Sequence, residues 1–258
     1  MLPGRDGRGP GDPPDDAEEA RPPPRSYVFI CCAPHGRVGV STTARLLSDY
    51  FLASRRGFVG FDADPHEPDY AQRFSGRARN VDLNSTQGQI DVIDRLLVPD
   101  GEAKIIDLWS RSYDRFFTLI QDIGFVEEAR SQNVEPVILF HADPSQASPS
   151  AAYQLAQALP TVETLLTYNE GAAPFGPQLQ DKLALYPPHR RLKIGALDAL
   201  VGRALQPLDL SLSYFLLDPP SEMSLVVRAG LKAWLTPIFA QFRAFEMRRA
   251  LEDASWLI

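Results

Sequence analysis

At 258 residues and 44% hydrophobic content, the chain fits one sizeable α/β domain, alone or with tails. A formal net charge of −7 and a pI near 5.2 argue against broad, sequence-independent DNA binding, which depends on neutralising phosphates. With two cysteines there is no disulfide framework, and neither a leader pattern nor a long uncharged apolar span stands out, so a cytoplasmic protein is expected.

Residues 1–25 hold seven of the 23 prolines and almost no large apolar side chains. Such a stretch cannot bury enough surface to offset the entropy of ordering, so a disordered Pro-rich tail is expected there, with the domain spanning 26–258. From Ser26 the pattern becomes regular. The run 27–32 is continuously apolar and of strand length, as for a parallel strand buried on both faces. It contains Cys31 and Cys32, read as buried structural thiols. A helix is predicted over 41–54, with Ala44, Leu47 and Phe51 on one stripe and Gly57 beyond its end. Strands are predicted at 58–62, 104–108, 136–140, 162–168 and, more weakly, 192–197. Helices are predicted at 112–131, 145–159 and 198–205. Residues 66–100 and 170–190 are polar and punctuated by Pro and Gly, and give no clear element. The stretch 220–258 reads as one or two long helices interrupted at Pro237. Strands alternating with helices predict a three-layer, doubly wound α/β fold. Its sheet is mostly parallel, like that of P-loop NTPases, with helices on both faces.

The segment between the first strand and the first helix carries the most chemistry. It reads His35-Gly36-Arg37-Val38-Gly39-Val40-Ser41-Thr42-Thr43-Ala44. A Gly-rich loop in a strand–loop–helix context lets backbone N–H groups approach phosphate oxygens. The P-loop pattern is G-x-x-x-x-G-K-[ST]. Here Pro34 stands at the first glycine and Val40 at the lysine. The plainer alternative is that Gly36, Gly39, Ser41 and Thr42 form only a tight turn and a helix N-cap. Acidic residues cluster where strands are predicted to end: Asp62 and Asp64 after the second, Asp107 after the third. In open α/β sheets the ligand lies beyond those ends. Ser41 with Asp62 or Asp107 supplies the oxygen ligands that Mg²⁺ prefers. The four histidines, His35, His66, His141 and His189, lack metal-site spacing.

The order of these segments resembles the ParA/MinD family of deviant-P-loop ATPases, over residues 26–200. The family signature is K-G-G-V-G-K-[ST]-T-[TS]. Against it His35 falls on the first lysine, Arg37 on the second glycine and Val40 on the P-loop lysine. Gly36, Val38, Gly39, Ser41, Thr42 and Thr43 match. The run 61–65, Phe-Asp-Ala-Asp-Pro, is similar to the family's D-x-D-P motif, 105–107 to its Walker B strand, and 166–169 to the strand ending in an Asn that reads adenine. The resemblance implies ATP or ADP with Mg²⁺ as cofactor. The nucleotide would be held by Gly36, Arg37, Val38, Gly39, Val40, Ser41, Thr42 and Asn169, and the metal by Ser41, Asp62 and Asp107. Asp64 would orient the attacking water, in a dimer with facing loops.

The departures reshape that expectation. A valine gives no donor and no charge where phosphoryl transfer needs both. The resulting expectation is a degenerate nucleotide-binding regulator with little or no hydrolysis. It would act through protein partners, as a homodimer or heteromer, in positioning, partition, transfer or assembly of a cellular component. An active ATP-dependent dimerisation switch and a nucleotide-free scaffold remain the alternatives. At the C-terminus, Leu225, Val226, Ala229, Ala233, Ile238, Phe239, Phe242, Phe245 and Met247 suggest an apolar helix face. Five basic against four acidic residues between 222 and 253 is a weak bias for membrane contact. Packing on the sheet or on a second subunit is favoured, and Arg228, Arg243, Arg248 and Arg249 read as a solvated basic edge.

Overall fold

The computed structural model describes residues 25–143, 147–172, 186–205 and 211–255. The tail call on 1–25 lies outside the described residues apart from Arg25, as do 256–258 and most of the unassigned 170–190 stretch. The first half runs β1 (Ser26–Cys32), α1 (Val40–Ala53), β2 (Phe58–Asp62), α2 (Asp69–Arg73), β3 (Ala78–Asn80), α3 (Thr86–Leu96) and β4 (Ala103–Asp107). It continues with α4 (Tyr113–Asp122), α5 (Phe125–Ser131), β5 (Val134–His141), α6 (Ala147–Ala158), β6 (Glu163–Asn169), β7 (Arg191–Ile194), α7 (Ala199–Leu205), α8 (Leu212–Leu217) and α9 (Leu225–Ser255).

The seven strands form one sheet in the order β3-β2-β4-β1-β5-β6-β7, and every pairing is parallel. A parallel sheet must be covered on both faces, and the alternation along β1 shows how. Val28, Ile30 and Cys32 point into a core shared with α3–α6. Phe29 and Cys31 point into a second core with α1, α2 and α7–α9. Full burial of each large apolar side chain contributes about 1.5–3 kcal/mol. Both cysteines are free and buried, and burial pushes both thiols up, so they are inert packing residues.

Three expectations change. The single helix expected over 112–131 is two, because Gly124 adopts φ 62° and ends the first of them. The unassigned 66–100 stretch holds α2, the short edge strand β3 and α3. Finally, Pro237 does not interrupt the last helix, which runs unbroken through it. Proline removes the hydrogen bond to the carbonyl of Ala233, yet both residues lie on the exposed face, where water can serve that carbonyl.

Helix α9 packs through Leu231, Leu235, Ile238, Phe242 and Phe245. Leu225, Val226 and Met247, expected on the apolar face, are instead exposed. The Gln241 side chain accepts from Lys193 N (2.8 Å) and donates to Lys193 O (2.9 Å), so it caps the open edge of β7. No described helix is long and apolar enough to cross a membrane.

At the lower rim, where the strands begin, α9 is fixed by charge. Arg248 and Arg249 are not a solvated edge. Arg249 pairs with Glu135 (3.3 Å) and Glu252 (3.0 Å), and Arg248 pairs with Glu163. Arg130 also pairs with Glu135 (3.0 Å), and Arg25 with Asp253 (2.7 Å).

Candidate functional site

The upper rim is laced together by backbone hydrogen bonds between strand ends. Leu108 N donates to Cys31 O and Ala63 N to Asp107 O, both at 3.0 Å. Parallel pairing sets Asp62 beside Asp107 and Cys31 beside Asp107. The loop 33–39 leaves β1 at this rim and enters α1 at Val40.

The start of α1 decides between a capped turn and an anion site. Its N-cap is Gly39, in the left-handed region at φ 97°, and no side chain caps the helix. Ser41 and Thr42 therefore lie in the first helical turn rather than capping it. The amides of Val40, Ser41 and Thr42 have no acceptor within the helix. Only from Thr43 does the ladder begin, with N donating to Gly39 O at 3.0 Å. Arg37 is also left-handed, at φ 65°, a conformation that costs a non-glycine residue about 1–2 kcal/mol. The loop thus keeps a glycine-type path although one glycine position holds arginine.

A cavity of about 850 Å³ opens over this loop, within the range of small-ligand sites. His35, Gly36, Arg37, Gly39, Val40, Ser41 and Thr42 line its floor. On the β2–β4 side stand Asp62, Asp64, Asp107, Trp109 and Arg111; on the β6–β7 side stand Asn169, Gly195 and Trp234. So the residues singled out from sequence converge, with one exception. Val38 is buried and does not line the cavity, and its backbone meets His141 at the end of β5. That imidazole is fully buried, and burial outweighs its backbone contact with Val38, so its pKa is lowered to about 3 and it stays neutral.

The acidic residues divide by role. Asp62 is spent on local structure: Oδ1 accepts from Asp64 N (3.1 Å), and Oδ2 accepts from Tyr70 N (2.9 Å) and Ala71 N (3.0 Å) at the start of α2. Asp64 is partly exposed, and its Oδ1 accepts from His66 N (2.9 Å) and Glu67 N (3.2 Å). Asp107 is buried beside the Ser41 hydroxyl, which hydrogen-bonds it. Burial first, and then the Asp62 charge, raises its pKa to about 7. Burial also raises Asp62.

Among the described residues no three or more His, Cys, Asp or Glu side chains form a ready metal site. Mg²⁺ does not need one, since it keeps several waters and takes one or two carboxylates plus phosphate oxygens. Ser41 and Asp107 would fit that partial shell, while the Asp62 oxygens already accept from the amides of Asp64, Tyr70 and Ala71. Asn169 lies against the loop: a Cβ on Gly39 would come within 2.4 Å of Asn169 Nδ2. Its Oδ1 accepts from Gly171 N at 2.9 Å, which leaves the amide nitrogen toward the loop.

Sequence reasoning missed Trp109, Arg111 and Trp234. Trp109 and Arg111 follow the Walker B-like strand in a short 3₁₀ turn with no motif of its own. Trp234 comes from α9, and its Nε1 donates to Gly195 O (2.7 Å), which brings a remote helix to the cavity wall.

The chain is therefore an all-parallel, three-layer α/β protein with a ligand-sized cavity at the carboxyl rim of its sheet. No family model matches the sequence, and no curated protein matches it. Among solved structures it is similar to a nucleotide-binding protein from Archaeoglobus fulgidus in complex with ADP, with cobalt found in it. The TM-score is 0.44 at 17% identity, over 71% of this chain and 85% of that one. The fold assignment rests on the sheet itself.

Proposed function

We propose that this protein is a nucleotide-binding regulator of the ParA/MinD kind that has lost most or all ATP hydrolysis. One observation carries the reading: an uncapped helix start, reached through a left-handed glycine, opens on a cavity with Ser41 and Asp107 toward one end and Asn169 toward the other. In this reading the first-turn amides hold the phosphates, and Ser41 and Asp107 hold Mg²⁺, which supplies charge neutralisation when bound. Asn169 and Trp234 border the base. In the same reading Asp64 would orient an attacking water, but Val40 offers the β- and γ-phosphates no charge. Loss of a buried charge-assisted contact costs about 2–5 kcal/mol, and about 3–4 kcal/mol on the barrier is already a few-hundred-fold in rate. The output is then a protein–protein contact, with a second copy or another subunit, in positioning, partition, transfer or assembly of a cellular component.

Calorimetric titration of Mg-ATP into the whole chain and into Val40→Lys tests this. We expect measurable binding by the unsubstituted chain and roughly 10- to 100-fold tighter binding by the variant, from one added charge-assisted contact. Binding by neither would sink the reading and leave a nucleotide-free scaffold. Phosphate release by the unsubstituted chain, at the rate of an active switch, would replace the regulator with an ATPase.

A further inference from the structure

The cavity poses an electrostatic problem. Its lining includes five carboxylates, Asp62, Asp64, Glu67, Asp69 and Asp107, and no lysine. A polyphosphate would be repelled there unless cations face it. Arg45, one turn along α1, is engaged by Asp69 at 3.4 Å and does not line the cavity. Two arginines do line it, Arg37 and Arg111. Neither forms an ion pair among the described residues. They approach from different directions. Arg37 belongs to the loop; Arg111 follows β4, in the turn whose Ser110 Oγ would lie 3.5 Å from a Cβ on Gly36. The Arg111 guanidinium lies over the Trp109 ring, 5.3 Å from its centroid. His66 meets the same ring edge-on at 5.4 Å. A stacked guanidinium gives up less freedom on binding and keeps its planar fork available, which suits a phosphate.

We infer that Arg111, held on Trp109, binds the terminal phosphate of a nucleoside triphosphate and replaces the charge that Val40 lacks. This rests on the cavity being a nucleotide site. A nucleotide with its base at the β6–β7 side and its inner phosphates over the loop points its last phosphate toward β4 and β2. Arg111 stands on that side together with Asp64. Arg37, within the loop, faces the inner phosphates. The site therefore tells triphosphate from diphosphate by an arginine outside the loop.

The test is calorimetry on the whole chain with Mg-ATP and, separately, Mg-ADP. Arg111→Ala is expected to weaken Mg-ATP roughly 30-fold while changing Mg-ADP less than about threefold. Trp109→Leu, which keeps the arginine but removes its platform, should fall between the unsubstituted chain and Arg111→Ala for Mg-ATP. Arg190→Ala, which deletes one charge just before β7, beside Arg248 and Arg249 at the lower rim, should leave both affinities unchanged. Equal weakening of ATP and ADP by Arg111→Ala, or no change in either, overturns the assignment while leaving the nucleotide site intact. If the unsubstituted chain binds neither nucleotide, the site reading itself fails, a result distinct from both. Because Arg111 is exposed, its removal should leave the thermal midpoint in place, so lost affinity cannot be confused with lost fold.

Discussion

At the lower rim of the sheet, Glu135 and Glu163 are buried and are met by Arg130, Arg248 and Arg249, all of which come from helices or helix ends beside them. At the upper rim, Asp62 and Asp107 are equally buried, but the groups that hydrogen-bond them are backbone amides and a serine hydroxyl, Arg45 acts on Asp107 only through its charge, and Arg37 and Arg111 stand apart in the cavity. The lower set closes on itself and fastens the last helix to the sheet. The upper set is left electrically incomplete on both sides, with carboxylates short of cations and arginines short of anions. On the proposed reading, a Mg-nucleotide completes both. On that reading, similar side chains serve structure at one end and recognition at the other, and the difference lies in whether the charges satisfy one another.

The largest expected effect tests the structural half. Arg249→Ala leaves Glu135 and Glu163 with fewer partners in a buried setting, and about 3 kcal/mol of stability should be lost. For a domain of this size that lowers the thermal midpoint by roughly 6–12 °C. Nucleotide affinity should stay within about twofold; a larger loss would show that the two rims are coupled and would break the contrast. Next comes Gly39→Ala. The added Cβ meets Asn169 at 2.4 Å and the residue must hold φ 97°, so about 2 kcal/mol of stability and nearly all nucleotide binding should go. Unchanged binding in that variant would mean that the loop does not hold its phosphate-facing path.

The smallest effect concerns another buried carboxylate, on the helix that starts at the loop. Asp49 accepts from the Ser211 hydroxyl and from Ser213 N (2.9 Å), and burial raises its pKa to about 6. Because the folded pKa lies above the unfolded one, the native state holds the extra proton between pH 4 and 6. Stability therefore falls as pH rises through that window and is flat, with respect to this group, above it. Asp49→Asn should make this slope shallower by Asp49's share and add about 1–2 kcal/mol at pH 7–8, read by chemical denaturation across pH. A slope left unchanged by the substitution would assign the pH dependence to Asp107, which has the same sign.

Much of the fold is readable in the chain because a two-sided parallel strand needs an unbroken apolar run, and runs such as 27–32 and 136–140 have few other uses. The short strand β3 is not readable in this way. It is three residues long with Arg79 and Asn80 exposed, as befits an edge, and it makes no apolar signal. The loop was legible because glycine spacing is local. The fate of Asp62 was not, since sequence gives a carboxylate at a strand end without saying whether amides or a metal will take it. The two rims were least legible of all. Arg248 and Arg249 look like a solvated edge until β5 and β6 bring Glu135 and Glu163 beneath them. Arg111 looks like any loop arginine until Trp109 and the cavity are both in view. Pairings over a hundred residues of chain leave no periodic trace.

Helix α9 touches both rims. Trp234 borders the cavity, and Arg248 and Arg249 grip the opposite end about 21 Å further along the axis. Pro237 falls between these two attachments, one turn from the first. One rung of the helical ladder is missing there, so this is where the rod flexes at least cost. The indole end, tied to Gly195, and the foot of the helix, tied to Glu135 and Glu163, thus fasten one rod to opposite rims of the same sheet.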